Sequence, residues 1–490
     1  MNRYSLSWSV VVFILLTVGT LLSGQTTLAD GDTYMHIGIG NWILANKSVP
    51  AVDVFSHTLT GQPWAAHEWL AEVVLALVYR LAGWTGLVLL TGLSAALTLV
   101  LMLKFMFKRM LPLYALGFMA LTYLAMHTHL LARPHVLTWP LMVLWMGGLL
   151  DALEQRRLPT WGLIPVMVLW ANLHGGFILG FAVAIPVLYE VIFSAQPSEQ
   201  LALLWRWCRF LAVAALACCI HPAGWGAFAF LSHLMGNEYL NHVVEWQSTN
   251  LDQFGSLSIW IYALLGLGLS GMLRLPTIRL LFVLGLLYQA FGHVRYLSIF
   301  GMLVPLIVAR PFGKSYQEWS QKVSAARLPG ASNANSLDLF FEKMARPAGP
   351  VVLGVAVVII FGASLICIKQ DLNEPVSSTV PVAAINKALS MGLQGHVFNQ
   401  DAEGGYLILR GIPVYTDGRA DLYGADFMRQ QQELLGMTDL NAIQTRLDQA
   451  NIEWVLMPVS AHLVQELAQM PRWKKIYEDR FVCIFKRVIL

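Results

Sequence analysis

The stretch Asp30-Gly31-Asp32-Thr33-Tyr34-Met35-His36 follows closely on an apolar run, Val10 to Leu22. Two carboxylates and an imidazole therefore stand at the mouth of a segment suited to a bilayer, which needs roughly 20 apolar residues per helical crossing. Working outward from the first run at 8–25, similar runs recur near 85–106, 111–128, 135–152, 160–173, 176–194, 208–222, 255–273, 279–293, 296–311 and 349–368. That makes about eleven candidate transmembrane helices. The 490 residues are 57% hydrophobic and only 12% charged, against roughly a quarter charged in soluble domains. The expected fold is a polytopic α-helical membrane protein. Arg3 before the first run and Leu28-Ala29 after it resemble a signal peptide, but so many spans follow that an uncleaved first helix is expected.

A net charge of +3 carries no nucleic-acid signature, so membrane lipids and no nucleic acid are the expected surroundings. Of the five cysteines, Cys208, Cys218, Cys219, Cys367 and Cys483, only the last lies in a clearly polar stretch, so no disulfide framework is expected.

Basic residues set the orientation. With the N-terminus in the cytoplasm, Lys104, Lys108, Arg109, Arg156, Arg157, Arg206, Arg209, Arg274 and Arg279 fall in cytoplasmic turns. Arg310, Lys314, Lys322, Arg327, Lys343 and Arg346 join them in a longer polar loop, whose stretch 313–345, rich in Ser, Ala, Asn and Gly, reads as a flexible cytoplasmic connector. The outer loops keep Lys47, Arg80, Arg133 and Arg295. An odd number of spans then puts the C-terminal segment outside. The localisation implied is multi-pass in a cytoplasmic (inner) membrane of bacterial type.

Two regions are not spans. The first outer loop, 25–84, carries two amphipathic stretches, Tyr34–Leu44 and Glu68–Leu81, expected to lie on the membrane surface around a turn at Pro50–Pro63. Trp42, Trp64 and Trp69 suit that interface. The tail, 369–490, alternates expected helices (Val382–Ser390, Ala425–Leu435, Leu440–Ala450) with strand-like runs (His396–Asn399, Tyr406–Leu409, Val414–Thr416, Trp454–Pro458, Phe481–Phe485). That alternation predicts a small α/β extracytoplasmic domain behind a membrane domain of residues 1–368.

With the sides assigned, Asp30, Asp32, His36, His67, Glu68, Arg133, His135, Asn172, His174, His221, Glu245, His293 and Arg295 share one depth at the outer edge, although they come from at least six chain segments. Polar groups beside lipid are costly and mark pathways or sites. Each has a plain alternative. Asp32 suits an acid–base role, yet it also suits the N-cap of the next helix. His67-Glu68 fits an acid–base pair or a solvated helix start. Arg133 and Arg295 suit bidentate phosphate contact, and equally a protein carboxylate. Asn172 and His174 fit a site or a polar hairpin before Gly175-Gly176, and His221 a ligand or a structural histidine. In the tail, Asp417, Arg419, Asp421 and Tyr423 suit contact with an acceptor or with the membrane domain, or an internal ion pair.

The first outer loop, from Asp30-Gly31-Asp32-Thr33-Tyr34-Met35-His36 through Val49-Pro50 to Pro63-Trp64-Ala65-Ala66-His67-Glu68-Trp69-Leu70, resembles that of the GT-C superfamily of membrane glycosyltransferases. More narrowly it looks like the bacterial branch related to dolichyl-phosphate-mannose–protein mannosyltransferases and rhizobial lipopolysaccharide glycosyltransferases. Ala132-Arg133-Pro134-His135, Trp170-Ala171-Asn172-Leu173-His174-Gly175-Gly176 and Asp417-Gly418-Arg419 resemble further motifs in the same order. The resemblance implies a polyprenyl-phosphate-linked sugar donor, a glycan, lipid or protein acceptor, and a catalytic carboxylate just after the first span, which is Asp32 or Asp30 here. Many relatives carry adjacent acidic residues where this chain has Gly31 between them, which leaves both the choice of base and the use of a divalent metal open.

The leading expectation is thus an inverting sugar transfer. Asp32 serves as base, with Asp30, His67 and Glu68 beside it. Arg133 and Arg295 hold phosphate, and His36, His135, Asn172, His174, His221, Glu245 and His293 line the substrate. The alternatives are a transporter or flippase of an anionic lipid or glycoconjugate and a non-catalytic envelope-assembly protein. A transporter is expected to place polar groups near the bilayer midplane, where this sequence has few.

Overall fold

A computed structural model describes residues 3–229, 244–325, 336–376 and 380–488. A helix lies over each of the eleven apolar runs. Among the described residues six helices are long and apolar enough to cross a membrane: Trp69–Met106, Pro134–Glu154, Gly175–Phe193, Pro197–Cys218, Tyr296–Lys322 and Pro350–Lys369. Shorter apolar helices, among them Trp8–Leu22, Leu163–Leu173, Ser256–Leu269 and Thr277–Gly292, pack among them. The chain is a multi-pass membrane protein. Its largest core sits where Trp145, Trp207, Trp260, Phe300 and Phe312 are enclosed between helices.

The 38-residue helix Trp69–Met106 is two helices joined at a kink. Ala82 leaves helical geometry and Gly83 takes φ 58°, a left-handed value that glycine adopts without a Cβ clash. The kink separates the expected loop helix from the span that follows it.

The other loop helix departs from expectation. Gly31–Asn46 does not lie with one face open: Tyr34, Met35, His36, Ile37 and Ile39 are all buried. It is packed between the Trp69 helix and a tail helix, Asp401–Leu409. The backbones meet where Gly405 faces Gly31, so closely that a Cβ on Gly405 would stand 1.9 Å from the Gly31 carbonyl oxygen. This contact also explains why the expected strand Tyr406–Leu409 is helical. Gly404 and Gly405 give that helix a flat face, and its apolar residues are buried on more than one side.

The tail holds a four-stranded sheet of β1 (His396–Phe398), β2 (Ile452–Pro458), β3 (Trp473–Glu478) and β4 (Val482–Arg487), in the order β1-β2-β4-β3. The β1–β2 pair is parallel; β2–β4 and β3–β4 are antiparallel. Helices Val382–Ser390, Ala420–Leu435 and Leu440–Gln449 cover it, close to expectation. Strand β3 was not expected: its pattern is mostly exposed, with Trp473 alone fully inside. Val414–Thr416, expected as a strand, makes only an isolated bridge from Val414 to Ser56. The connector 313–345 is helical on both sides, since Tyr296–Ala325 runs into it and Ser336–Met344 leaves it; residues 326–335 lie outside the described ones.

One buried ion cluster fastens the first loop to the tail. Arg419 donates Nη1 to Asp53 Oδ1 at 2.7 Å and clasps Asp417 through Nε and Nη2 at 2.8 and 2.7 Å. Tyr423 adds its hydroxyl to Asp417 at 2.9 Å, and the Asp53 carboxylate also accepts from Ser56 Oγ at 2.5 Å. The guanidinium lies over Trp64 at 4.6 Å. Asp53, Asp417 and Arg419 are 0%, 1% and 3% exposed, so each charge depends on the others for the solvation it has lost. Arg419→Met strands two buried carboxylates and is expected to cost about 3–5 kcal/mol. The measurement is the melting temperature of the purified protein in detergent; an unchanged value would refute the dependence.

Candidate active site

Three chain segments converge on Arg133, the residue that precedes the Pro134–Glu154 helix. Its Nη2 reaches Asp32 Oδ2 at 2.6 Å, and its Nη1 reaches Asp30 Oδ2 at 3.2 Å and Glu245 Oε1 at 2.8 Å. Asp30, not Asp32, caps the Gly31–Asn46 helix, accepting from the Asp32 backbone N–H at 2.8 Å. Asp30 therefore has a structural duty, while the Asp32 carboxylate is tied only to Arg133 among the described contacts. Burial raises the Asp32 carboxyl to about 6 against the lowering effect of Arg133, with Asp30 and Glu245 adding repulsion. Glu245 moves the other way: the Arg133 guanidinium draws it down to about 2.

Arg295 stands next to this cluster. Its backbone N–H donates to the Glu245 carbonyl at 3.1 Å, and its guanidinium covers the Trp246 ring at 4.5 Å. It is half-buried, and burial pushes its pKa below the ordinary arginine value. No carboxylate lies within ion-pair distance of it among the described residues. His293 Nδ1 lies 2.7 Å from the Trp246 carbonyl oxygen.

A second cluster surrounds Glu68, which is 8% exposed. His174 Nε2 lies 3.4 Å from Glu68 Oε1, His67 Nε2 3.6 Å from the same oxygen, and His36 Nε2 3.7 Å from Oε2. His36 Nδ1 is 3.4 Å from Glu72 Oε1. Burial would raise the Glu68 carboxyl, but His174, His67 and His36 outweigh it and hold it well below the usual range. Burial pushes His174 down to about 4, leaving it neutral at pH 7. Its Nδ1 accepts from the Gly176 N–H at 2.9 Å, so the proton sits on Nε2 and points at Glu68. The His135 ring stands edge-on to His174 at 6.3 Å and links the two clusters.

Other expected residues serve the frame. Asn172 accepts from Trp69 Nε1 and donates to the carbonyls of Val168 and Ile220, all at 2.8 Å, which ties three segments together. His221 braces the His67 carbonyl at 3.1 Å through Nε2. Asp421 accepts from Trp64 Nε1 at 2.9 Å, and Asp417, Arg419 and Tyr423 are buried in the fastening described above. The tail nevertheless touches the site through Gly418: a Cβ there would stand 1.9 Å from Asp32 Oδ1. Sequence reasoning missed Gly418 as a contact, and it missed Asp53 and Glu72. Glu72 had a signal, its four-residue spacing from Glu68 on one helix face. Among the described residues no three His, Cys, Asp or Glu side chains are grouped to hold a metal ion.

An apolar cavity of about 410 Å³ adjoins the second cluster, walled by Leu70, Ile164, Val168, Leu169 and Ile220 and reaching Asn172.

No protein-family model matches the sequence, and no curated protein matches it. Solved structures do match over nearly the full chain. ArnT from Cupriavidus metallidurans, solved with undecaprenyl phosphate bound, aligns over 98% of this chain and 98% of its own with a TM-score of 0.52 at 15% identity. The chain has a GT-C-like fold. The archaeal oligosaccharyltransferase AglB from Archaeoglobus fulgidus, in complex with an inhibitory peptide and a dolichol-phosphate, aligns over 92% of this chain and 69% of its own (TM-score 0.52, 10% identity). The arabinofuranosyltransferase AftD from Mycobacteria aligns over 99% of this chain (TM-score 0.51, 11% identity), which spans only 41% of AftD.

The closeness of Gly418 to Asp32 gives a test that needs no substrate. Gly418→Ala is expected to destabilise the protein by about 1–3 kcal/mol through overpacking. In an Asp32→Ala background the same change is expected to cost almost nothing, since the clashing carboxylate is gone. Equal melting-temperature losses in both backgrounds would contradict the contact.

Proposed function

We propose that the protein is a membrane glycosyltransferase that moves a sugar from a polyprenyl-phosphate-linked donor to a hydroxyl of a glycan, lipid or protein acceptor on the extracytoplasmic face. The observation that carries this reading is the presence together of a guanidinium with no carboxylate partner among the described residues, Arg295 on Trp246, and a carboxyl whose pKa is raised to about 6, Asp32. The three structural neighbours are a protein solved with undecaprenyl phosphate, an oligosaccharyltransferase and an arabinofuranosyltransferase, and they support it.

In this reading the donor phosphate lies between Arg295 and Arg133, whose planar forks suit phosphate oxygens. Engaging Arg133 draws it from Asp32 and releases that carboxylate. Asp32 accepts the proton of the acceptor hydroxyl while its oxygen attacks the anomeric carbon from the face opposite the phosphate. The bond between that carbon and the phosphate oxygen breaks, and the electron pair leaves with the polyprenyl phosphate. Charge on the leaving group is met by Arg295 and Arg133 in a partly dry site, where such contacts act strongly. The His174-Glu68 pair, with His36, His67 and His135, holds the wall against which the substrates are positioned. The apolar cavity ending at Asn172 receives the first units of the lipid chain. Both clusters lie on the first-loop side of the membrane, which basic-residue asymmetry assigns to the outside.

Asp32→Asn is expected to lower transfer at least about 100-fold in a reconstituted assay while the protein still folds. Turnover within a few-fold of wild type rules out Asp32 as the base. Because the Asp32 carboxyl sits near 6 and the active form is the anion, activity is expected to rise with pH and level off above that value. A profile that falls over the same interval contradicts the assignment. Arg295→Ala is expected to raise the donor KM and lower kcat, with the acceptor KM little changed, whereas a purely structural arginine would alter all three.

A further inference from the structure

The helices that frame the site run on to the opposite end of the bundle. The Pro134–Glu154 helix has 21 residues, a span of about 30 Å. At that far end Arg109 pairs with Asp151 and, at 2.9 Å, with Glu154 Oε2. Arg310 donates to the Glu154 carbonyl at 3.2 Å and lies 3.8 Å from its carboxylate. Arg279, 4% exposed, holds Glu190 at 2.9 Å and stands 3.9 Å from Glu154 Oε1. The arginines expected as plain turn residues thus form a network with acidic partners, buried at Arg109, Arg279 and Glu154 and open to solvent at Arg310 and Asp151.

Against this network opens a cavity of about 350 Å³, whose wall includes Lys108, Arg109, Glu154, Arg310, Lys314 and Gln317. Four cations face it and one carboxylate, and that carboxylate is already shared among Arg109, Arg310 and Arg279. Lys108 and Lys314 are exposed and have no hydrogen-bond or ion-pair partner among the described residues. The walls are fixed relative to each other: at Gly313 the Tyr296 helix approaches so closely that a Cβ would stand 1.9 Å from the Arg109 carbonyl oxygen. Beside Gln317, Tyr316 packs against Tyr114 at 4.7 Å and against Trp319 at 5.7 Å between ring centres. Such aromatic groups collect at headgroup depth.

We propose that this cavity is a specific binding site for the phosphate of an acidic membrane lipid, separate from the transfer site. Basic pockets between helix ends recognise phosphate headgroups in this way, with arginine supplying fixed forks and lysine mobile point charges. The cavity opens at the ends of membrane-crossing helices, the depth at which headgroups sit, and this favours a lipid over a soluble anion. Within the network three arginines are balanced by Asp151, Glu154 and Glu190, so a headgroup bound here would neutralise the charge of Lys108 and Lys314. It would also tie the end of the Tyr296–Ala325 helix, whose start adjoins Arg295, to the membrane surface.

The test is native mass spectrometry of the full chain in an uncharged detergent, titrated with phosphatidylglycerol or phosphatidylcholine. One phosphatidylglycerol per chain is expected to bind at least tenfold more tightly than phosphatidylcholine. The double variant Lys108→Gln/Lys314→Gln is expected to lose that preference, while Lys47→Gln keeps it. Equal affinity for phosphatidylglycerol in wild type and double variant overturns the proposal, as does uptake that passes one lipid per chain without a step. Inorganic phosphate that binds as tightly as the lipid overturns the lipid assignment and leaves a soluble-anion site. On the unmodified chain, a photoreactive phosphatidylglycerol is expected to label peptides around 104–110 and 310–317; labelling spread evenly over the helices also overturns it.

Discussion

Arg133 is the residue on which the site depends. One guanidinium contacts the first loop at Asp30 and Asp32 and a distant loop at Glu245, while its own backbone starts a transmembrane helix. Three carboxylates this close together repel, and the cation between them is what allows them to share a half-dry space. Their environments then diverge. Glu245 is drawn to about 2 and stays charged, whereas Asp32 rises to about 6 and can exchange a proton near neutral pH. Two carboxylates with opposite shifts thus share one arginine: Glu245 keeps its charge, while Asp32, bound to the same guanidinium, titrates near neutral pH.

The neighbouring cluster follows the same logic with imidazoles around a single carboxylate. Glu68 stays ionised because three histidines face it, and His174 is fixed in one tautomer by a backbone N–H. Asn172 and His221 support this arrangement from behind by tying helix ends together, so that the imidazoles are held by packing as well as by charge. At the far end of the bundle, Glu154 plays the shared-carboxylate part for Arg109, Arg279 and Arg310. Besides the Asp53–Arg419–Asp417 fastening, the protein thus gathers charge at both ends of its membrane helices.

What the sequence made legible was local. Apolar runs announced helices because a membrane span is encoded in consecutive residues. The shared depth of Asp30, Asp32, Arg133, His174 and Arg295 followed from counting those runs. What escaped was non-local. Asp53 looked like an ordinary turn residue, since the guanidinium it pairs with is 366 positions away. Tyr406–Leu409, the second half of the helix Asp401–Leu409, read as a strand because its burial comes from contact with the first loop, not from its own periodicity. Strand β3 was overlooked because an edge strand with few buried residues has a weak pattern. The choice between Asp30 and Asp32 as helix cap rested on a single backbone bond that composition does not reveal.

The meeting of Gly418 with Asp32 also sets a schedule. The first loop emerges early in synthesis, yet the loop that closes over it comes near the end, and the two are locked by a bond spanning 366 positions. At about 5–20 residues per second, tens of seconds separate their appearance. Until then Asp32 and Arg133 stand without their lid, and Asp53 lacks its counter-ion. A half-made chain therefore carries a first loop that is neither covered nor charge-balanced until the segment around Gly418 and Arg419 has been made.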